Sequence, residues 1–292
     1  MDPKKGCPCC TFRLEDDLFL PPSLKSNYNG ISVSSMELPM DPKEAVDFLS
    51  KASPIDTTMI LIDSHGHAQL ERDADENYTL DNKTTSSQGP LQLKSITCAV
   101  EPKDWADTLR YASKSTSVLP ALGVHPWYLE RLPNNWLEEL DFWSTLPQLW
   151  HGVFVSVLKE IRDSAEAGED VSNLLPPAIA MHSFTGTAHH VKELLALEKT
   201  IVKDNKTLFY FGFSHTVNFA MCTSEKSRRK GRDAVREVPT DRLLVESDVH
   251  ASDDLLAGTA GAIAYVAWAR EQELIAIASL SSQNGQSFLA MQ

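Results

Sequence analysis

Asp63-Ser64-His65-Gly66-His67 follows directly on a short apolar run, Met59-Ile60-Leu61-Ile62, whose length and bulk suit a β-strand. Side chains on a strand alternate with period two, so His65 and His67 leave one face together and reach a common point past the strand's C-terminal end. Two neutral imidazoles aimed at one point are half of a site for a divalent metal ion, which still needs carboxylates or further histidines. An isolated His-x-His also arises in a polar turn whose imidazoles merely cap backbone groups, so the motif gains weight only from matching residues downstream.

Three later apolar runs end in residues of the same kind. They are Gly123-Val124-His125-Pro126, Met181-His182-Ser183-Phe184-Thr185-Gly186 and Glu246-Ser247-Asp248. Each has a plain structural explanation when taken singly. His125 before Pro126 could be a turn residue, His182 a hydrogen-bonded core histidine, and Asp248 the N-cap of a following helix. Four strand ends carrying metal-ligand types are a different matter, and jointly they favour a site.

The elements that must bring these residues together are legible in the same rhythm. Strands are expected at Met59–Asp63, Leu93–Val100, Ser117–Val124, Ala178–Ser183, Leu208–Ser214 and Arg242–Asp248. Between them lie amphipathic patterns at Trp105–Ser113, Trp136–Trp143, Val191–Leu197 and Lys226–Glu237, and Leu255–Glu271 and Glu273–Leu280 follow as closing helices. Strand and helix in alternation predict a parallel α/β architecture, and the placing of polar residues at strand C-termini predicts a TIM-like (β/α) barrel with its site at the mouth. Only six of the eight strands of a closed barrel are recognisable, so an incomplete or distorted barrel is expected. Residues 1–57 are mixed in character and read as a poorly ordered extension with one helix near Asp41–Leu49, and 58–292 as the barrel. The acidic, Ser/Thr-rich piece Asp73–Pro90 reads as a solvated loop.

Composition narrows the partners. With 27 basic and 40 acidic side chains among 292 residues, the formal net charge is −13. Such a surface repels nucleic acid and anionic membrane at long range, so DNA binding would need a local basic patch or bound cations. Lys226-Ser227-Arg228-Arg229-Lys230-Gly231-Arg232 is the one basic cluster, and Arg228 and Arg229 are candidates for contact with a phosphate backbone, although an exposed, solvated helix explains them better. No apolar run approaches a membrane span, and the start Met1-Asp2-Pro3-Lys4-Lys5-Gly6 has no secretory apolar core. A soluble protein of cytoplasm or nucleus is expected. Cys7, Cys9 and Cys10 lack a second cluster that would close a four-ligand site, and a reduced, unliganded tail is expected there.

The residues resemble the TatD-related deoxyribonucleases, metal-dependent hydrolases of the amidohydrolase-like barrel class. Asp63-Ser64-His65-Gly66-His67 is similar to the family's Asp-x-His-x-His, and Gly123-Val124-His125-Pro126 to its Gly-[Ile/Val]-His-Pro. His182-Ser183-Phe184-Thr185-Gly186 is similar to its His-x-Phe-Thr-Gly, and Leu243-Leu244-Val245-Glu246-Ser247-Asp248 to its Leu-Leu-Glu-[Ser/Thr]-Asp. Tyr210-Phe211-Gly212-Phe213-Ser214 and Asn284-Gly285-Gln286-Ser287-Phe288 resemble its seventh strand and its closing motif, so the likeness spans about 59–290. In particular the chain is similar to the fungal branch, whose members are described as partners of a cell-cycle protein. The resemblance implies that His65, His67 and Asp248 ligate one divalent metal ion (Mg, Mn or Zn) and that His182 helps bind a second. It implies water activated by the metals, with Asp248 orienting it or taking its proton, phosphodiester bonds of DNA as the substrate, and His125 at the mouth. Other readings of such a barrel are a non-catalytic shell that binds a protein partner and an amidohydrolase of small molecules.

Two pieces of that family pattern are missing. Its Gly-Glu-Ile-Gly-Leu-Asp strand, whose glutamate bridges the metals, and its strand ending Pro-Val-x-[Ile/Val]-His have no counterpart between His125 and His182. Roughly sixty positions lie there and must also carry the helix after strand three, whereas two strand–helix units alone need roughly sixty. Loss of the fourth and fifth strands is therefore expected, with the join near Pro147–Val153. Residues His151–Ile161 would be the helix after the missing fifth strand. Glu169 sits in a polar loop and is no replacement for the bridging glutamate, and His151 suits a surface or cap position better than a ligand's.

Overall fold

The computed structural model describes residues 38–53, 58–71, 90–125, 128, 151–164, 171–202 and 206–290. Six strands occur among them: β1 (Met59–Gly66), β2 (Leu91–Cys98), β3 (Val118–Ala121), β4 (Ile179–Met181), β5 (Phe209–Phe213) and β6 (Leu243–Val245). Each falls where a strand is expected from sequence. They form two three-stranded parallel sheets, ordered β1-β2-β3 and β4-β5-β6. The two sheets meet at their β1 and β6 sides, where Ser64 Oγ donates to Val245 O (2.9 Å), Asp248 N to His65 O (3.0 Å) and His67 N to Val249 O (2.9 Å). Among the described residues between β3 and β4 there is no strand. The outer edges of β3 and β4 carry no strand partner there.

Strand parity sorts the apolar side chains into two layers, as period two requires. Ile96, Cys98, Ala178, Tyr210 and Leu244 form an inner cluster with Phe288, while Leu61, Leu93, Phe209, Phe211, Phe213, Leu243 and Val245 face the helices. The helices are α1 (Pro42–Ala52), α2 (Trp105–Ala112), α3 (His151–Ser164), α4 (Ala188–Ile201), α5 (Glu225–Glu237), α6 (Leu255–Arg270) and α7 (Leu274–Leu289). The expected helix at Trp136–Trp143, the Asp73–Pro90 loop except its last residue, Glu169 and the N-terminal cysteines lie outside the described residues.

The helix foreseen near Asp41–Leu49 is α1, started by an Asp41 carboxylate that accepts from Lys43 N and Glu44 N, with Pro42 in its first turn. It is part of the core: Ala45 and Leu49 are fully buried, and Pro42 packs where a side chain on Gly261 of α6 would stand. The reason lies in α6, which is buried on nearly all sides and so needs a cover beyond the sheet. α7 runs nine residues beyond the expected Leu280 end. Its extra turns carry Asn284, which donates to Thr240 O (2.7 Å) and Leu243 O (2.8 Å), and Phe288, which packs edge-on against Tyr210 in the inner layer. A buried Glu198 on α4 ties the start of β5 in place, accepting from Leu208 N (2.7 Å), Phe209 N (2.9 Å) and Arg242 Nη1 (2.8 Å).

Candidate metal centre

The end of β1 is bent before it reaches the site. Asp63 pairs with Ser95 and Gly66 with Thr97, so three steps on β1 oppose two on β2, a bulge at Ser64 and His65. The Asp63 carboxylate holds this bulge from within. It accepts from His65 N (3.2 Å), Ser95 Oγ (3.0 Å), Ser247 N (2.8 Å) and Ser247 Oγ (2.7 Å), joining β1, β2 and the segment after β6. Burial pushes this carboxyl up to about 7 against those four donors. Gly66 leaves room for the arrangement, since a Cβ there would come within 3.0 Å of Asp63 Oδ2.

The bulge brings His65 Nε2 to 3.1 Å from His67 Nε2. Two ligand nitrogens on one ion, each about 2.0–2.1 Å from it, stand about 3 Å apart, so this spacing is that of neighbouring ligands. His67 Nδ1 donates to Cys98 O at 2.7 Å, which puts the ring proton on Nδ1 and leaves the Nε2 lone pair available. Both histidines are buried and held well below the usual imidazole range, chiefly by burial and then by neighbouring histidines, so both are neutral imidazoles at neutral pH.

His182 arrives from β4. The two residues after it lock the turn: Ser183 takes φ 40°, and the Phe184 ring is buried against Phe211 and Phe213. Gly186 is needed because a Cβ there would meet that ring at 2.3 Å. The His182 ring stacks on His65 with centroids 3.7 Å apart, its Nδ1 lies 3.0 Å from Glu246 Oε1, and its Nε2 is 3.6 Å from Asp248 Oδ1. Burial alone would lower its pKa, but the Glu246 and Asp248 carboxylates outweigh it and lift the imidazole to about 9.

Asp248 follows β6 with φ 52°, an uncommon backbone for a non-glycine residue, and it sits where two strained residues meet. Its Oδ2 accepts from Ser183 Oγ (3.3 Å), while Oδ1 is buried and has no hydrogen-bond partner. Oδ1 also lies 3.8 Å from His67 Nε2. Burial lifts this carboxyl to about 6, with the His182 charge opposing. A buried carboxylate oxygen without a hydrogen-bond partner beside the His67 and His182 nitrogens fits a cation, and ligand atoms of His65, His182 and Asp248 all lie within 4.8 Å of one another. The residues thus fit a divalent metal, and Asp248 caps no helix.

Glu246, Asp63 and Ser183 belong to the centre although sequence reasoning gave them no role. Glu246 is buried and accepts from Ser183 N (2.5 Å) and Ser183 Oγ (2.6 Å) as well as facing His182. Gly212 on β5 makes space for it, since a Cβ there would stand 2.3 Å from Glu246 Oε2. That clearance was the available signal, because a glycine inside an apolar strand marks a close approach. His125 is beside the cluster, its N donating to Val100 O (2.6 Å), and burial, with the neighbouring His182 and His250 imidazoles, pushes its ring down to about 4. His250 stands beside His67, ring centroids 5.0 Å apart. His215 packs against Phe219, and a Cβ on Gly261 would come within 3.2 Å of its own Cβ, so it belongs to the helix layer rather than the cluster. His189 and His190 open α4, where His190 Nδ1 accepts from Thr187 N (3.3 Å).

Arg228 and Arg229 lie elsewhere. With Arg232, Arg236, Trp268 and Leu38 they line a groove of about 580 Å³ whose lining includes none of the site histidines. Arg228 lies over the Phe219 ring and donates to Cys222 O (2.8 Å), and Arg232 lies over Trp268. Among the described residues no helix is long and apolar enough to cross a membrane.

Residues 154–279 match the family model described as TatD related DNase. The chain is 32% identical over 94 residues to the uncharacterized metal-dependent hydrolase YabD of Bacillus subtilis, covering 32% of this chain and 26% of that protein. It therefore spans about a quarter of the length of that curated relative. Among solved structures, the Escherichia coli TatD homologue YJJV superposes with a TM-score of 0.53 at 19% identity, covering 77% of this chain and 95% of that one. A TatD-family hydrolase of Entamoeba histolytica aligns with a TM-score of 0.49 at 10% identity, over 80% and 98% of the two chains. Residues 154–279, which include His182, Glu246 and Asp248, are thus similar in sequence to the TatD related DNase family, and the parallel α/β fold is similar to that of a TatD homologue.

Proposed function

We propose that the protein is a metal-dependent hydrolase in which His65, His67, His182 and Asp248 hold a divalent ion and the substrate is a phosphodiester, with DNA as its natural class. The observation that carries this reading is that His67 and His182 flank the one buried Asp248 oxygen that lacks a hydrogen-bond partner, with His65 Nε2 at 3.1 Å from His67 Nε2. Three nitrogens and one carboxylate oxygen suit zinc and similar borderline ions better than magnesium. The chemistry such an ion supplies when bound is Lewis-acid polarisation of the ester oxygen and a lowered pKa for water.

The chain's own groups have distinct tasks. His67 is oriented by the Cys98 carbonyl, and His182 by the Glu246 carboxylate, so both present Nε2. Asp248, anchored through Oδ2 by Ser183, lies close enough to the cluster to take the proton of an attacking water, and its raised pKa suits that task near neutral pH. His125 beside the cluster is a neutral imidazole and sets no negative charge against an anionic phosphate. The phosphodiester assignment draws on the family description, and the net charge of −13 means that DNA would approach through the cation and not through the general surface.

The test is hydrolysis of single-stranded DNA and of bis(p-nitrophenyl) phosphate with Mn²⁺, comparing the protein with His65→Ala. The expected outcome is a loss of about a hundredfold or more on both substrates. Equal rates would refute the assignment of the site. Loss on the small ester with no cleavage of DNA by either form would refute DNA as the substrate.

A further inference from the structure

We propose that His250 is a further ligand of the metal pocket, donating through Nε2 beside His67; this inference rests on the metal reading of the site. Three observations carry it. His250 Nε2 is buried and has no hydrogen-bond partner, an arrangement that is costly for a polar nitrogen unless something occupies it. Its ring centroid lies 5.0 Å from that of His67, and the centroids of His65 and His67, whose Nε2 atoms already stand at ligand spacing, are 4.7 Å apart. The His67 and His250 rings are thus spaced much as the His65 and His67 rings are.

The segment that carries His250 is also fixed against the metal strand. Asp248 N donates to His65 O at 3.0 Å and Val249 O accepts from His67 N at 2.9 Å, so the two residues before His250 are bonded to the two site histidines of β1. Ser252 N then donates to Glu71 Oε2 at 3.0 Å, which pins the far side of the segment. The imidazole is thus held from both flanks, as a pre-organised ligand needs to be.

The experiment is a Co²⁺ titration of the full chain followed by visible absorption, with His250→Ala, His250→Gln and His65→Ala alongside and thermal melts to show that each variant is folded. Both His250 variants are expected to bind Co²⁺ at least about tenfold more weakly and to change the ligand-field bands, because one nitrogen donor is lost. His65→Ala is expected to lose the bands altogether. Wild-type affinity and spectrum in both His250 variants, with binding still lost in His65→Ala, would overturn the role of His250 while leaving the metal reading intact. Weaker binding with unchanged bands would also overturn it, since His250 would then only buttress His67. No Co²⁺ bands in the wild-type protein would overturn both.

Discussion

Two side chains with opposite demands meet in His182 and Asp63. In the metal-free protein His182 is lifted to about 9 by Glu246 and Asp248, so it is protonated at neutral pH and a metal must displace that proton. Metal affinity is therefore expected to rise by about tenfold per pH unit from roughly 7 to 9 and then level off, as titration calorimetry at several pH values would show. The sign for folding is the reverse. The stability contributed by the raised pKa is fully present below 6.5 and is lost as pH passes through about 9. Asp63 has four donors and so suits an acceptor-only carboxylate; Asp63→Asn sets an amide N–H against one of them. Denaturant unfolding is expected to show a loss of about 2–3 kcal/mol. His65, His67, His125, His182 and Asp248 could all be singled out from sequence because each ends an apolar run. Glu246, Ser183 and Asp63 could not be given roles, because their partners are distant in the chain and visible only once β1, β4 and β6 converge.

The elements were legible where period and length agree, and all six strands stand within a few residues of where they were read. Two things escaped. A period-two reading makes β1 a plain strand, whereas the bulge at Ser64 and His65 depends on what β2 and Ser247 offer to Asp63. The second is α1, whose short amphipathic pattern gave no sign that α6 needs covering, since that need follows from how the other helices pack. If α1 is structural rather than an appendage, Leu49→Ala should cost about 2–4 kcal/mol, measured by the same unfolding experiment, because Leu49 is fully buried. An unchanged midpoint would mean that α1 is dispensable. Arg228 and Arg229, read as candidate phosphate contacts, stand on the face of α5 toward Trp268 and Phe219, a placement that helix periodicity alone does not distinguish from one at the mouth.

At the scale of the molecule, two three-stranded sheets joined across β1 and β6 place every candidate ligand at their common seam. That seam explains why the site can assemble from β1, β4 and β6 alone. His65 and His67 come from one side, Glu246 and Asp248 from the other, and His182 from the strand beyond β5. An ion held at the seam would also be a structural tie, since at a hundredfold over its dissociation constant it would add about 2.7 kcal/mol of stability. The most direct measurement is therefore calorimetric titration of Mn²⁺, an ion for which the thiols of Cys7, Cys9 and Cys10 are poor ligands, into the protein and into Asp248→Ala. The expected result is saturable binding that raises the melting temperature of the wild-type protein and is absent from the variant. Equal binding in the two proteins, or none in either, would contradict the assignment of the seam as a metal centre.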